Sequence, residues 1–144
     1  MLNYTDNGHG KVIVMLHGFC ESLNLWKHIE EELSPFCRVI CIDLPGYGDS
    51  RYLGEDISMD WFADQVDGLI QKLKIEKYSI VGHSLGGYVS LALAEKYPSK
   101  IETMTLFHST AFADTAEKKI NRDKAAGFIA RNGVDTFMNS FVEP

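Results

Sequence analysis

The sequence predicts an α/β fold, a central parallel sheet with helices packed on its faces. Three observations carry that expectation. Short apolar runs without alternation recur along the chain, amphipathic segments with helical spacing separate them, and glycine or proline punctuates their ends. A strand covered on both faces reads as a continuous apolar run, and strand–helix–strand alternation implies parallel pairing through right-handed crossovers.

The first run is KVIVML at residues 11–16, closed by His17-Gly18. RVICI at residues 38–42 ends at Asp43 and then Pro45-Gly46, and YSIV at residues 78–81 ends at Gly82. IETMTLF at residues 101–107 is the fourth, with a polar first half. Between them, Leu25, Ile29 and Leu33 have the spacing of an amphipathic helix that Pro35 stops. Ser58 or Asp60 caps a second helix whose apolar face is Phe62, Val66, Leu69, Ile70 and Leu73. A third helix runs from Ser84 towards Tyr97 and ends before Pro98. Beyond Ser109, a polar helix is expected from Thr115 to about Ile129, and a short one from Val134 to Phe141 after Gly133.

Composition narrows the function classes. The 144 residues are 45% apolar and 24% charged, as in an ordinary globular domain. A formal charge of −6 offers no basic footprint for nucleic acid. No apolar run reaches the roughly 18 residues of a membrane span, and the first residues, MLNYTD, lack an apolar leader stretch. A cytoplasmic address is the expectation. The three cysteines, Cys20, Cys37 and Cys41, make neither a disulfide framework nor a zinc site. No metal and no cofactor is expected. Cys20, in a loop near the chemistry-bearing motifs, either lines a substrate pocket or is a free thiol without a role.

In a parallel sheet, ligands bind at the carboxyl ends of the strands, so the loops starting at His17, Asp43, Gly82 and His108 are the ones to inspect. Gly82-His83-Ser84-Leu85-Gly86-Gly87 follows a strand directly and opens a helix, the setting of a G-x-S-x-G nucleophile elbow. A sharp strand-to-helix turn strains the serine backbone and needs small neighbours, which Gly82 and Gly86 supply. The bland alternative is a helix start with Ser84 as an ordinary N-cap. At the end of the first strand, His17-Gly18-Phe19 brings backbone donors close. The N–H groups of Phe19 and Leu85 are the expected pair for an oxyanion, and His17 is expected to shape the loop rather than act as a base. Asp43-Leu44-Pro45-Gly46-Tyr47-Gly48-Asp49-Ser50 fails as a dinucleotide site, because Arg51 stands where a third glycine belongs and no helix starts there. It reads as a turn-rich structural loop at the rim of the site, with Tyr47, like Trp26 and the segment after Ser109, expected to shape the pocket.

In order and spacing, these three motifs resemble the α/β-hydrolase superfamily over most of the chain, from about Val12 to Leu106, with Trp26 also fitting. The resemblance is to the serine-nucleophile branch of esterases, carbon–carbon bond hydrolases and haloperoxidases. It implies Ser84 as nucleophile and Phe19 and Leu85 as oxyanion donors. His17, Gly18, Cys20, Trp26, His83 and His108 are the residues expected around the substrate pocket. The resemblance further implies that residues 1–110 are the N-terminal part of the hydrolase core, with four central strands in the order 2-1-3-4, and that 111–144 begin a helical cap.

The family takes its acid and its histidine from later strands, which are not in this sequence, so the chain is expected to be an incomplete, truncated piece of a longer hydrolase. Two alternatives stand beside that expectation: one of two complementing chains, or a short protein that lost its chemistry. His108, ending the strand beside the elbow, is the one candidate for a surrogate base. The expected activity is cleavage of an ester-like or activated carbonyl bond of a small molecule. The competing class is a non-catalytic binding or interaction module on the same scaffold. An open edge along residues 101–107 would also invite self-association.

Overall fold

The computed structural model describes residues 1–52, 54 and 57–140. They fall into two compact units, Met1–Ala111 and Phe112–Pro144.

The first unit is built on a five-stranded sheet. Its strands are β1 (Tyr4–Asn7), β2 (Val12–Leu16), β3 (Arg38–Ile42), β4 (Tyr78–His83) and β5 (Ile101–Phe107), in the order β1-β3-β2-β4-β5. The four strands expected from the apolar runs are present, mutually parallel and in the expected order. The sheet as a whole is mixed, because β1 pairs antiparallel with β3, Tyr4 opposite Ile42 and Asn7 opposite Val39. Nothing in the apolar pattern foretells β1. Its four residues, Tyr-Thr-Asp-Asn, lie half-buried to exposed at a sheet edge, where no apolar run is required.

Three α-helices flank the sheet: α1 (Lys27–Leu33, entered through a 3₁₀ turn over Leu23–Trp26), α2 (Met59–Lys72) and α3 (Leu85–Lys96). Ser58 is the N-cap of α2, its hydroxyl accepting from the Trp61 N–H at 3.2 Å. The buried face of α2 is the expected one, with Phe62, Val66, Leu69 and Ile70 packed against Val14, Leu16, Ile40, Ile42 and Tyr78 from the sheet. The apolar face expected for α1 is corrected. Leu25 and Ile29 are 41% and 42% exposed, whereas Trp26 and the carboxylate Glu30 are buried. Glu30 Oε1 accepts from the Thr5 hydroxyl and, at 2.8 Å, from the Asn7 amide. The unforeseen strand therefore supplies the polar partners that let the helix bury a charge, and the two departures from expectation have one cause.

The second unit holds α4 (Ala116–Asn132) and α5 (Val134–Asn139). Thr115 caps α4, and Gly133, at φ 81°, ends it and starts α5. Phe128 and Phe137 meet at 6.3 Å between ring centroids, and Asp114 pairs with Arg122. Neither helix has a fully buried residue. The expected end of the last helix at Phe141 lies outside the described residues.

Candidate functional site

Four described non-glycine residues have positive φ, and three of them stand at the carboxyl edge of the sheet: Cys20 (60°) after β2, Ser84 (48°) after β4 and His108 (46°) after β5. Strain of this kind persists only where surrounding structure imposes it, and it collects at functional sites.

Ser84 is the single residue between β4 and α3. Its ψ of −110° takes it outside the left-handed region as well, and its side chain makes no capping bond to the helix. The ordinary N-cap alternative is therefore not the one realised, since an N-cap has extended geometry and accepts from an N–H of the first turn. The turn is locked from both sides. The Ser84 N–H donates to the Phe107 carbonyl at 3.0 Å, and the Ser84 carbonyl accepts from the Gly87 N–H at 3.0 Å and from the Ser109 hydroxyl at 2.9 Å.

The two glycines of the motif serve different contacts. A side chain at Gly82 would run into the Gly86 carbonyl and the Ser90 hydroxyl, across the turn as expected. One at Gly86 would run into the carbonyls of Leu16 and His17, so Gly86 is needed for the close approach of α3 to β2. Leu85 opens α3, and its N–H is among the first-turn amides that an α-helix leaves without an intrahelical partner. Leu85 also follows the turn immediately, so its amide lies at the positive end of the helix dipole.

His17 is fully buried. Its Nε2 accepts from the Leu44 N–H at 3.0 Å, which leaves the proton on Nδ1 to donate to the Gly18 carbonyl at 2.8 Å. Burial holds its pKa below the usual histidine value. With both ring nitrogens committed, His17 ties the β2 and β3 loops together and presents no base and no side chain to a pocket. Trp26 is likewise enclosed, at 2% exposure, and packs beside Phe107 at 6.2 Å between centroids. Gly18 is buried, whereas Phe19 is 51% exposed. Cys20 is half-buried, and its thiol pKa is raised first by burial and then by the Glu21 charge. That environment disfavours the reactive thiolate.

His83 and His108 approach each other at 6.0 Å between ring centroids, both against Phe107. His83 Nδ1 lies 2.8 Å from Glu21 Oε2, a partner that sequence reasoning did not single out. The signal that could have found it is a carboxylate in the short loop after His17-Gly18. The Asp43–Ser50 motif is a structural loop, as expected. Asp43 accepts from the N–H groups of Leu23 and Asp49 and from the Asn3 amide, while the Ser50 hydroxyl donates to the Asp43 carbonyl at 2.7 Å.

Of the groove beside this edge, sequence reasoning foresaw Tyr47 and missed the rest of the apolar lining. A cavity of about 470 Å³ is lined by Phe19, Pro45, Tyr47, Tyr52, Phe62 and Leu85, with Ile57 and Met59 at its side. Phe19 of the β2 loop and Leu85, the residue after Ser84, therefore open onto an apolar wall. No cluster of metal-ligating side chains occurs among the described residues. No described helix is long and apolar enough to cross a membrane.

Comparison with known proteins gives the same architecture. The structure superposes on a thermophilic esterase from Thermogutta terrifontis with a TM-score of 0.86 and 35% identity, over 92% of this chain and 49% of that one. It matches a meta-cleavage product hydrolase from Pseudomonas fluorescens with a TM-score of 0.73 and 31% identity, over 80% and 44% of the two chains. In sequence it is 37% identical to a pimeloyl-[acyl-carrier protein] methyl ester esterase from Nitrosomonas europaea, over 76% of this chain and 41% of that protein. The chain thus spans less than half the length of each of these relatives. The alpha/beta hydrolase fold family matches it from residue 11 to residue 135. The chain belongs to the alpha/beta hydrolase family.

Proposed function

We propose that this chain carries the nucleophile side of a serine hydrolase that cleaves an ester-like bond of a small, partly apolar molecule. Ser84 attacks the carbonyl carbon, and the N–H groups of Phe19 and Leu85 hold the oxyanion that forms. A histidine outside the described residues takes the hydroxyl proton and returns it to the leaving group. The backbone of Ser84 carries this reading: a φ of 48° and ψ of −110° at a one-residue strand-to-helix junction, with the hydroxyl making no cap. Such strain has a natural use where a hydroxyl must stand free at the rim of a sheet. The oxyanion donors would each lower the barrier by roughly 3–4 kcal/mol. The apolar groove beside Phe19 and Leu85 suits the acyl or alkyl part of the substrate. The esterases among the relatives favour the same reaction class.

The proton acceptor is placed outside the described residues, because His17 is committed at both nitrogens and, among the described contacts, neither His83 nor His108 hydrogen-bonds the Ser84 hydroxyl. A fluorophosphonate reagent tests the proposal without needing the base's full contribution. The expected result is covalent labelling mapped by mass spectrometry to Ser84 and abolished in Ser84→Ala. Labelling of another residue, undiminished in Ser84→Ala, removes Ser84 from the role.

A further inference from the structure

The loop after β2 must present the Phe19 N–H at a fixed distance from the Leu85 N–H if the two are to share one oxyanion, and two different elements carry them. Contacts around Gly18 show how that distance is held. The Glu21 carboxylate folds back within its own loop, and Oε2 accepts from the Gly18 N–H at 2.6 Å. The same oxygen lies 2.8 Å from Nδ1 of His83, the residue before Ser84. A carboxylate oxygen accepts, so His83 Nδ1 donates to it. One carboxylate oxygen thus joins the β2 loop to the turn at the end of β4.

The space between these groups is filled. A methyl at Gly18 would stand 2.8 Å from Glu21 Oε2, 2.9 Å from His83 Nδ1 and 3.2 Å from Ser84 Cβ, so the loop already rests against the turn. The next peptide is held from its other side. His17 Nδ1–H donates to the Gly18 carbonyl, and in a planar trans peptide the Phe19 N–H points opposite to that carbonyl. Glu21 therefore sets how far the loop sits from Ser84, and His17 sets which way the Phe19 N–H faces.

We propose that Glu21 is a positioning residue that, through Gly18 and His83, holds the two proposed oxyanion donors in register. This rests on the serine-hydrolase reading above. It requires Glu21 to act on the rate of attack by Ser84 rather than on ligand affinity, since the apolar groove lies beside Phe19 and Leu85 and does not include Glu21.

The test is the kinetics of fluorophosphonate labelling of the full chain, which separates the saturating rate from the half-saturating concentration. Glu21→Ala should lower the saturating rate at least tenfold and leave the half-saturating concentration unchanged. Glu21→Gln, which keeps an acceptor for the Gly18 N–H, should recover most of that loss. A Glu21→Ala rate equal to that of the unmodified chain, or a change in affinity alone, overturns the proposal. A second readout does not depend on labelling. In the Ser84→Ala background, the Gly18 amide proton should resonate far downfield, move upfield in Glu21→Gln, and exchange faster with solvent in Glu21→Ala. An unmoved Gly18 resonance in both variants overturns the strut itself. A failure of the serine-hydrolase reading would instead appear as labelling that survives Ser84→Ala, with the Gly18 shifts still present.

Discussion

His17 shows how one buried ring can decide a local structure without touching substrate. Its two nitrogens satisfy the Leu44 N–H and the Gly18 carbonyl, and neither group has water to turn to if the ring is lost. His17→Ala should destabilise the fold by about 1–3 kcal/mol, the cost of leaving a buried donor unpaired. The pH dependence has a definite sign. Burial lowers the folded-state pKa below the ordinary histidine value of 6.5, so below that pH the unfolded chain takes up a proton that the folded ring refuses. The stability tied to His17 is intact above pH 6.5 and is lost as pH falls towards the lower folded value. Urea unfolding at pH 7.5 and 5.5 should show a smaller pH effect in His17→Gln than in the parent; an equal effect would assign the dependence to other groups. The loop-shaping part of His17 was legible from its place at a strand end before glycine. Glu21 was not legible as its neighbour's counterpart, because its partner His83 is 62 residues away in sequence.

At the scale of elements, β1 and α1 depend on each other. Glu30 faces inward because Thr5 and Asn7 reach it, and β1 has a reason to pair with β3 because it brings those partners. The arrangement is polar and long-range, so helical periodicity pointed to Leu25 and Ile29 instead, and the four residues of β1 gave no apolar signal. Removing the carboxylate leaves the Thr5 and Asn7 donors without their acceptor. Glu30→Ala should cost about 1 kcal/mol, the net worth of a hydrogen bond whose donors can turn to water, and the amides of residues 4–7 should lose hydrogen-exchange protection before the rest of the sheet. Uniform loss of protection across all five strands would mean that β1 is held by other contacts. α2 behaved in the opposite way. Its cap at Ser58 and its apolar stripe are both local in sequence, and both were readable.

For the molecule as a whole, β5 carries the outer edge of the sheet among the described residues. Thr103, Met104 and Thr105 are exposed there. A seven-residue strand with one charge, and with a strand neighbour on only one side among the described residues, is a template for another strand. Sedimentation velocity on this chain should show concentration-dependent association that Thr105→Lys suppresses; a monomer at all concentrations would show that the edge is not available for pairing. The strand order was implied by the family resemblance, whereas the parallel core and the strand–turn–helix around Ser84 were determined by the sequence alone. Their signals are runs, periods and glycines within a few residues of one another, and burial on both faces leaves few other ways to fold them. The mixed character of the sheet, the inward turn of Glu30, the Glu21–His83 link and the apolar groove beside Leu85 were decided only by tertiary structure. Each of these joins groups distant in the chain, and a polar residue's partner is set by where folding brings it rather than by its own neighbours.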